Sequence, residues 1–131
     1  GPGGNSPMLP DTLLLSQVTP GGNPYGGNLE FFNKQGGKNE NITLQIEKEK
    51  NNHLVCYEIS SLTMQPQSGL SILPTDKDDQ SLPVGLKTEW TTKMADKGNI
   101  WIRLKHQPNI KNGSCNVGET DVEVAFPYVI R

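Results

Sequence analysis

Apolar side chains recur at every second position over several stretches of this chain, and that two-residue period marks extended backbone with one buried face. Ile42, Leu44 and Ile46 alternate with Thr43, Gln45 and Glu47, which predicts a strand. Val55, Tyr57 and Ile59 alternate with Leu54, Cys56 and Glu58; both sets are largely apolar, so this strand is expected in the middle of a sheet. The polar residues 48–52 between them suit a hairpin connection, which would pair the two strands antiparallel.

Nearer the C-terminus, Ile100, Ile102 and Leu104 share one face while Trp101, Arg103 and Lys105 share the other, after a turn predicted at Lys97-Gly98-Asn99. Residues 121–130 continue the alternation through Val122, Val124 and Phe126. Pro127 has no amide hydrogen, so the outer half of this last strand is expected at an edge or a bulge. Further strands are predicted at residues 13–18, 28–33, 70–73 and 84–90, each bounded by Gly, Pro or Asn. No stretch of a dozen residues sustains a helical period, and residues 60–65 offer one helical turn before Pro66. The expected fold is therefore all-β: an antiparallel β-sandwich of seven or eight short strands, immunoglobulin-like or jelly-roll-like, with little helix. A true immunoglobulin domain is disfavoured, because Gly113 stands two residues before the second cysteine where that fold carries a tyrosine.

A length of 131 residues fits one domain, assigned to residues 11–131. Half of the glycines and half of the prolines fall within the first 27 residues, so residues 1–10 are expected to form a flexible tether or a cloning remnant. The longest aliphatic run is Leu13 to Leu15, far short of the roughly 20 apolar residues that span a bilayer. Twelve basic and fourteen acidic side chains leave a net charge of -2, which argues against nucleic acid as a partner. The two cysteines, Cys56 and Cys115, lack redox or zinc-knuckle spacing and allow at most one disulfide, left open here between a bridge and two free thiols.

Candidate chemistry is sparse. His53 and His106 belong to no metal-binding motif, so no metal and no cofactor is expected, and His106 reads as a structural or surface imidazole. Asp76, Asp78 and Asp79 cluster in a loop that could hold calcium, but Ser81 and Lys87 stand where an EF-hand needs glycine and a bidentate acid. A solvated acidic turn is the simpler reading. The pairs Gly21-Gly22, Gly26-Gly27 and Gly36-Gly37 read as turns, not phosphate loops. Two glycosylation sequons, at Asn41 and Asn112, match the roughly two that random placement gives. Glu89, Glu119, Asp121 and Glu123 are candidate acids for a glycoside or ester hydrolase only if they converge in space.

The outward face bearing Trp101, Arg103 and Lys105 is the candidate ligand site, since an indole beside cations can stack on a sugar or anchor a protein; burial of the indole under a neighbouring loop is the alternative. The tether, the all-β pattern and the terminal strand together resemble bacterial surface or periplasmic lipoprotein domains in organisation. That resemblance implies an extracytoplasmic location with a lipid anchor upstream. The function expected is a noncatalytic binding module for a protein or glycan. The alternative is a structural subunit that docks by strand addition through residues 13–18 or the C-terminal strand.

Overall fold

The computed structural model describes residues 12–17, 24–35, 38–62 and 69–131. The tether at residues 1–10, the far end of the strand expected at 13–18, the turns at Gly21-Gly22 and Gly36-Gly37 and residues 63–65 of the helical turn expected at 60–65 lie outside the described residues; residues 60 and 61 of that expected turn belong to a strand instead. Along the rest the chain is all-β. Its strands are β1 (Leu13–Leu15), β2 (Tyr25–Asn28), β3 (Phe32–Gln35), β4 (Lys38–Asn41), β5 (His53–Ser61), β6 (Leu70–Pro74), β7 (Lys87–Thr92), β8 (Asp96–His106) and β9 (Glu119–Ile130). A single short α-helix, α1 (Thr43–Lys48), and a 3-10 turn at Lys50–Asn52 lie between β4 and β5.

The strands form a four-stranded sheet ordered β1-β9-β8-β5, a three-stranded sheet ordered β2-β7-β6, and the hairpin β3-β4. All pairings are antiparallel except one: β1 runs parallel to β9, with Leu13 opposite Tyr128 and Leu15 opposite Ile130. The two larger sheets share one buried cluster. Val55, Ile100, Ile102, Leu104, Tyr128 and Ile130 come from the first sheet and Leu70 from the second, joined by Val84 and Leu86 ahead of β7. Each fully buried aliphatic side chain contributes about 1.5–3 kcal/mol, so this seam holds the sheets together.

The strand expected at residues 42–47 is instead the helix. Periods of two and of four both place Ile42 and Ile46 on one side, and only Leu44 distinguishes them. In the helix Ile46 is buried at 4% exposure while Leu44 turns to solvent at 61%. The expected hairpin through residues 48–52 therefore becomes a helix end and a 3-10 turn, and β5 pairs with β8 instead.

β5 is also the last strand of its sheet, not a central one. Its outer edge is nevertheless not free. The segment before β7 closes the strand's free edge, with Val55 N–H donating to Val84 O at 2.7 Å and the Tyr57 hydroxyl donating to Gly85 O at 2.7 Å. Gly85 has φ +93°, and a Cβ there would stand 2.5 Å from Val55 O, so glycine is what permits this approach. Burial raises the Tyr57 phenol to about 12.

Four smaller expectations are corrected. Lys97-Gly98-Asn99 lies within β8, because these residues pair with β9 from Val129 to Pro127. Pro127 does not demote β9, which keeps its ladder to β8 along its length and is flanked by β1 from Tyr128 onward. Gly26-Gly27 is part of β2: a Cβ on Gly27 would lie 2.5 Å from Thr88 Oγ1, so the missing side chain leaves room for the Trp90 indole N–H to donate to that oxygen. Residues 28–33 split between the end of β2 and the start of β3, because Leu29 and Phe31 bond elsewhere, to Leu86 and Ile42 respectively.

Candidate functional site

On β8 the even-numbered residues from Asp96 to Leu104 are buried and the odd-numbered ones face outward. This brings Trp101, Arg103 and Lys105 onto one face, as the alternation implies. Arg103 is the hub. Its Nε donates to Glu123, directly opposite on β9, and its terminal nitrogen donates to Glu58 on β5, both at 2.6 Å. The guanidinium also stands 5.5 Å from the centre of the Trp101 ring. Glu58 first and Glu123 second raise the Arg103 pKa further, so its charge is fixed and locally neutralised. Lys105 donates to Thr120 Oγ1 at 3.1 Å. Arg103 braces the indole, and its charge is already met by two carboxylates.

Trp101 itself is half-buried, opposite Ala125 on β9. Two-residue steps along the same face of β9 lead to Pro127 and Val129, both half-exposed, and across from Val129 to Leu14, which is 57% exposed. The result is an apolar strip running diagonally over three strands from an aromatic anchor, with the Glu58–Arg103–Glu123 network at its edge.

The other end of this face is covered. Leu54 and Cys56 point outward by register, opposite Lys105 and Arg103, yet are 3% and 7% exposed. Cys56 is bonded to Cys115 in the loop that follows β8. The same loop is fastened by Lys111, whose ammonium meets the Asp78 carboxylate at 2.8 Å and donates to Lys50 O at 2.9 Å. The Asp78 and Lys111 side chains are 1% and 3% exposed. Burial alone would push the Asp78 carboxyl up, but Lys111 and the N–H groups of Leu82 and Gln80 outweigh it and hold it below its ordinary value.

The acidic run at residues 76–79 is thus committed to internal contacts. Asp76 accepts the N–H groups of Gly85, Leu86 and Lys87; Asp78 is paired with Lys111; Asp79 meets Lys50 and Asn51. Among the described residues no group of three His, Cys, Asp or Glu side chains is placed to hold a metal ion. The four candidate acids do not meet as a set. Glu89 projects from β7 beside exposed Leu73, Glu119 begins β9 opposite His106, Glu123 is held by Arg103, and Asp121 lines a groove on the inner side of the sheet.

That groove was not legible in the sequence. Its volume is about 310 Å³, and it lies between α1 and the ends of β5, β8 and β9. His53 and His106 are directly opposite in register and stack, with ring centroids 5.3 Å apart and planes at 20°. Fifty-three residues separate them in the chain, so only the β5–β8 register could have paired them. Trp101 is not among the groove's lining residues. Comparison with protein-family models, curated proteins and solved structures finds no match to this chain.

Proposed function

We propose that this chain is a noncatalytic extracytoplasmic recognition module that docks a protein partner on the outer face of β8 and β9, with Trp101 as the anchor. The reading takes the fold as an immunoglobulin-like sandwich. Orders β2-β7-β6 and β9-β8-β5, with an N-terminal strand joined parallel to the last, match the B-E-D and G-F-C sheets of that architecture. The observation that carries the function is the half-exposed indole, braced by Arg103, at the head of an apolar strip ending in exposed Leu14. Interfaces concentrate binding energy in such rigid aromatic anchors and ring them with polar groups. A protein suits this face better than a glycan, because Trp101 sits on an open strand surface outside the groove. The Cys56–Cys115 bond supports an oxidising compartment.

Affinity capture from an envelope extract of the source cells, with wild type and Trp101→Ala side by side, tests the assignment. The expected outcome is a partner held by wild type and by Lys87→Ala but lost with Trp101→Ala, with no signal on a glycan array. Retention of every partner by a folded Trp101→Ala protein would remove Trp101 as the anchor.

A second reading, docking by strand addition, is favoured by one observation. From Glu119 to Pro127, β8 is the only described strand that pairs with β9, so its other edge offers free backbone groups there. Concentration-dependent sedimentation, or protection of these amides by an added extended peptide, would distinguish this from face docking.

A further inference from the structure

We infer that the groove beneath α1 is a binding site for a small organic cation, a guanidinium or primary ammonium carried on a short aliphatic stem. The site is separate from the outward face of β8 and stands or falls without it.

Three features of the chain build it. The first is the helix. Gln45 and Glu49 lie four residues apart, on the same side as Ile42 and Ile46, and this side forms one wall of the groove. The second is the imidazole pair. His53 is only 7% exposed, and its Nδ1 lies 3.1 Å from Glu49 O. A carbonyl oxygen only accepts, so Nδ1 is the donor in this contact. The stack on His106 fixes the ring plane. The third is a β-bulge. Leu104 pairs with Val122 but Lys105 pairs with Thr120, which leaves Asp121 without a partner on β8. Unbroken alternation would send Asp121 to the outer face with Glu123. The bulge turns it to the groove beside Val122 instead, and re-aiming a side chain in this way is what bulges do near binding sites.

The lining is therefore one-sided in charge. Glu49 and Asp121 supply two carboxylates, and Gln45 adds an amide oxygen. No lysine or arginine is among the described lining residues. Beneath these groups, Ile46, Leu104 and Val122 offer apolar surface. Carboxylates beside a hydrocarbon floor recognise a cation on an aliphatic stem, because the charge-assisted bonds and the stem's desolvation act together. A volume of about 310 Å³ sits at the small end of ligand sites, which limits the occupant to a metabolite-sized molecule or one side chain.

The test is an amide NMR titration of the whole chain with agmatine, with n-butanol as the uncharged probe, and with two capped tripeptides, Gly-Arg-Gly and its citrulline analogue. Agmatine is expected to shift resonances in α1, at His53 and at residues 104–106 and 121–122, at concentrations of about 1 mM or below, while butanol does not. Asp121→Asn and Glu49→Gln should each weaken it by roughly tenfold, the loss of one charge-assisted contact, with unchanged thermal unfolding showing that each variant is folded. Binding of agmatine alone assigns the site to a free small molecule. Binding of the arginine peptide but not its citrulline analogue assigns it to a partner's side chain. The inference is overturned if neither cation perturbs the groove, if butanol or citrulline binds equally well, or if both carboxylate variants bind as wild type does.

Discussion

Replacing Lys111 by methionine should be among the most damaging single changes in the chain. Its ammonium faces the Asp78 carboxylate at 2.8 Å, and both side chains are almost wholly enclosed. Methionine keeps the volume but removes the charge, so Asp78 is left as a buried anion with only the N–H groups of Gln80 and Leu82. Breaking a buried pair from one side costs about 3–5 kcal/mol, because the remaining charge has lost its compensation. The neighbouring pair Lys50–Asp79 is the internal control: at 3.5 Å, with side chains 37% and 70% exposed, its loss through Asp79→Asn should cost under about 1 kcal/mol.

Urea unfolding at neutral pH, followed by tryptophan fluorescence, measures both. The double variant Asp78→Asn with Lys111→Met should recover more than about 1 kcal/mol relative to the sum of the single losses, since no lone charge remains. The pH dependence has a definite sign. Asp78 is held below its ordinary value in the folded protein, so its stabilising contribution is complete above the unfolded value of about 3.9 and disappears as pH falls through the folded value. The gap between wild type and Lys111→Met should therefore narrow as pH falls, first because burial makes the variant's stranded carboxyl take up a proton above its ordinary value, and below about pH 4 because wild type loses its own contribution. A Lys111→Met loss no larger than that of Asp79→Asn, or strictly additive single losses, would refute the assignment of this pair as a coupled, buried fastening.

Reduction of Cys56–Cys115 opens a loop of 59 residues and should lower stability by about 4 kcal/mol in the chain-entropy account, read as a fall in the urea midpoint with added reductant. Gly27→Ala should destabilise by about 1–3 kcal/mol and change the Trp90 emission, because the new methyl meets both Thr88 and the indole nitrogen. Gly85→Ala should cost more than Gly27→Ala in the same unfolding assay, since it adds a positive-φ penalty to a clash with Val55 O. In alkali, Tyr57 ionises near 12 in the folded state; its neutral form contributes stability that is complete below the unfolded value of about 10 and lost as pH rises through 12. Phenolate absorbance against circular dichroism should show this ionisation coinciding with unfolding.

What could be read from the sequence was read where period and burial agreed. β8 alternates without interruption, and its inner residues Ile100, Ile102 and Leu104 are all core. The outward set Trp101, Arg103 and Lys105 followed from the same parity. Residues 42–47 misled because a two-residue and a four-residue repeat coincide at Ile42 and Ile46. Leu44 was the only discriminating position, and an exposed leucine carries no mark in a sequence. Pro127 misled for a related reason: a missing amide hydrogen disfavours one ladder bond, but β9 has β8 beside it throughout. The groove was illegible in principle, because it depends on the register that sets His53 against His106 and on a single extra residue at Asp121.

The disulfide and the buried ion pair act on the same loop, and this explains why one end of the sheet face is covered. Cys115 fixes the loop to β5 and Lys111 fixes it to Asp78 and Lys50, so the loop lies over Leu54 and Cys56. Toward the opposite end, Ala125, Pro127, Val129 and Leu14 have no comparable clamp among the described residues, and Leu14 stays exposed. Releasing the loop should therefore bare Leu54 without disturbing Trp101, whose position depends on Arg103 and its two glutamates. β8 thus spans both regions: Lys105 and Arg103 stand opposite the covered Leu54 and Cys56, while Trp101 stands between exposed Glu58 and half-buried Ala125. The buried fastenings lie at the covered end of the face, so the half-buried Trp101 indole stands on the part that does not carry them.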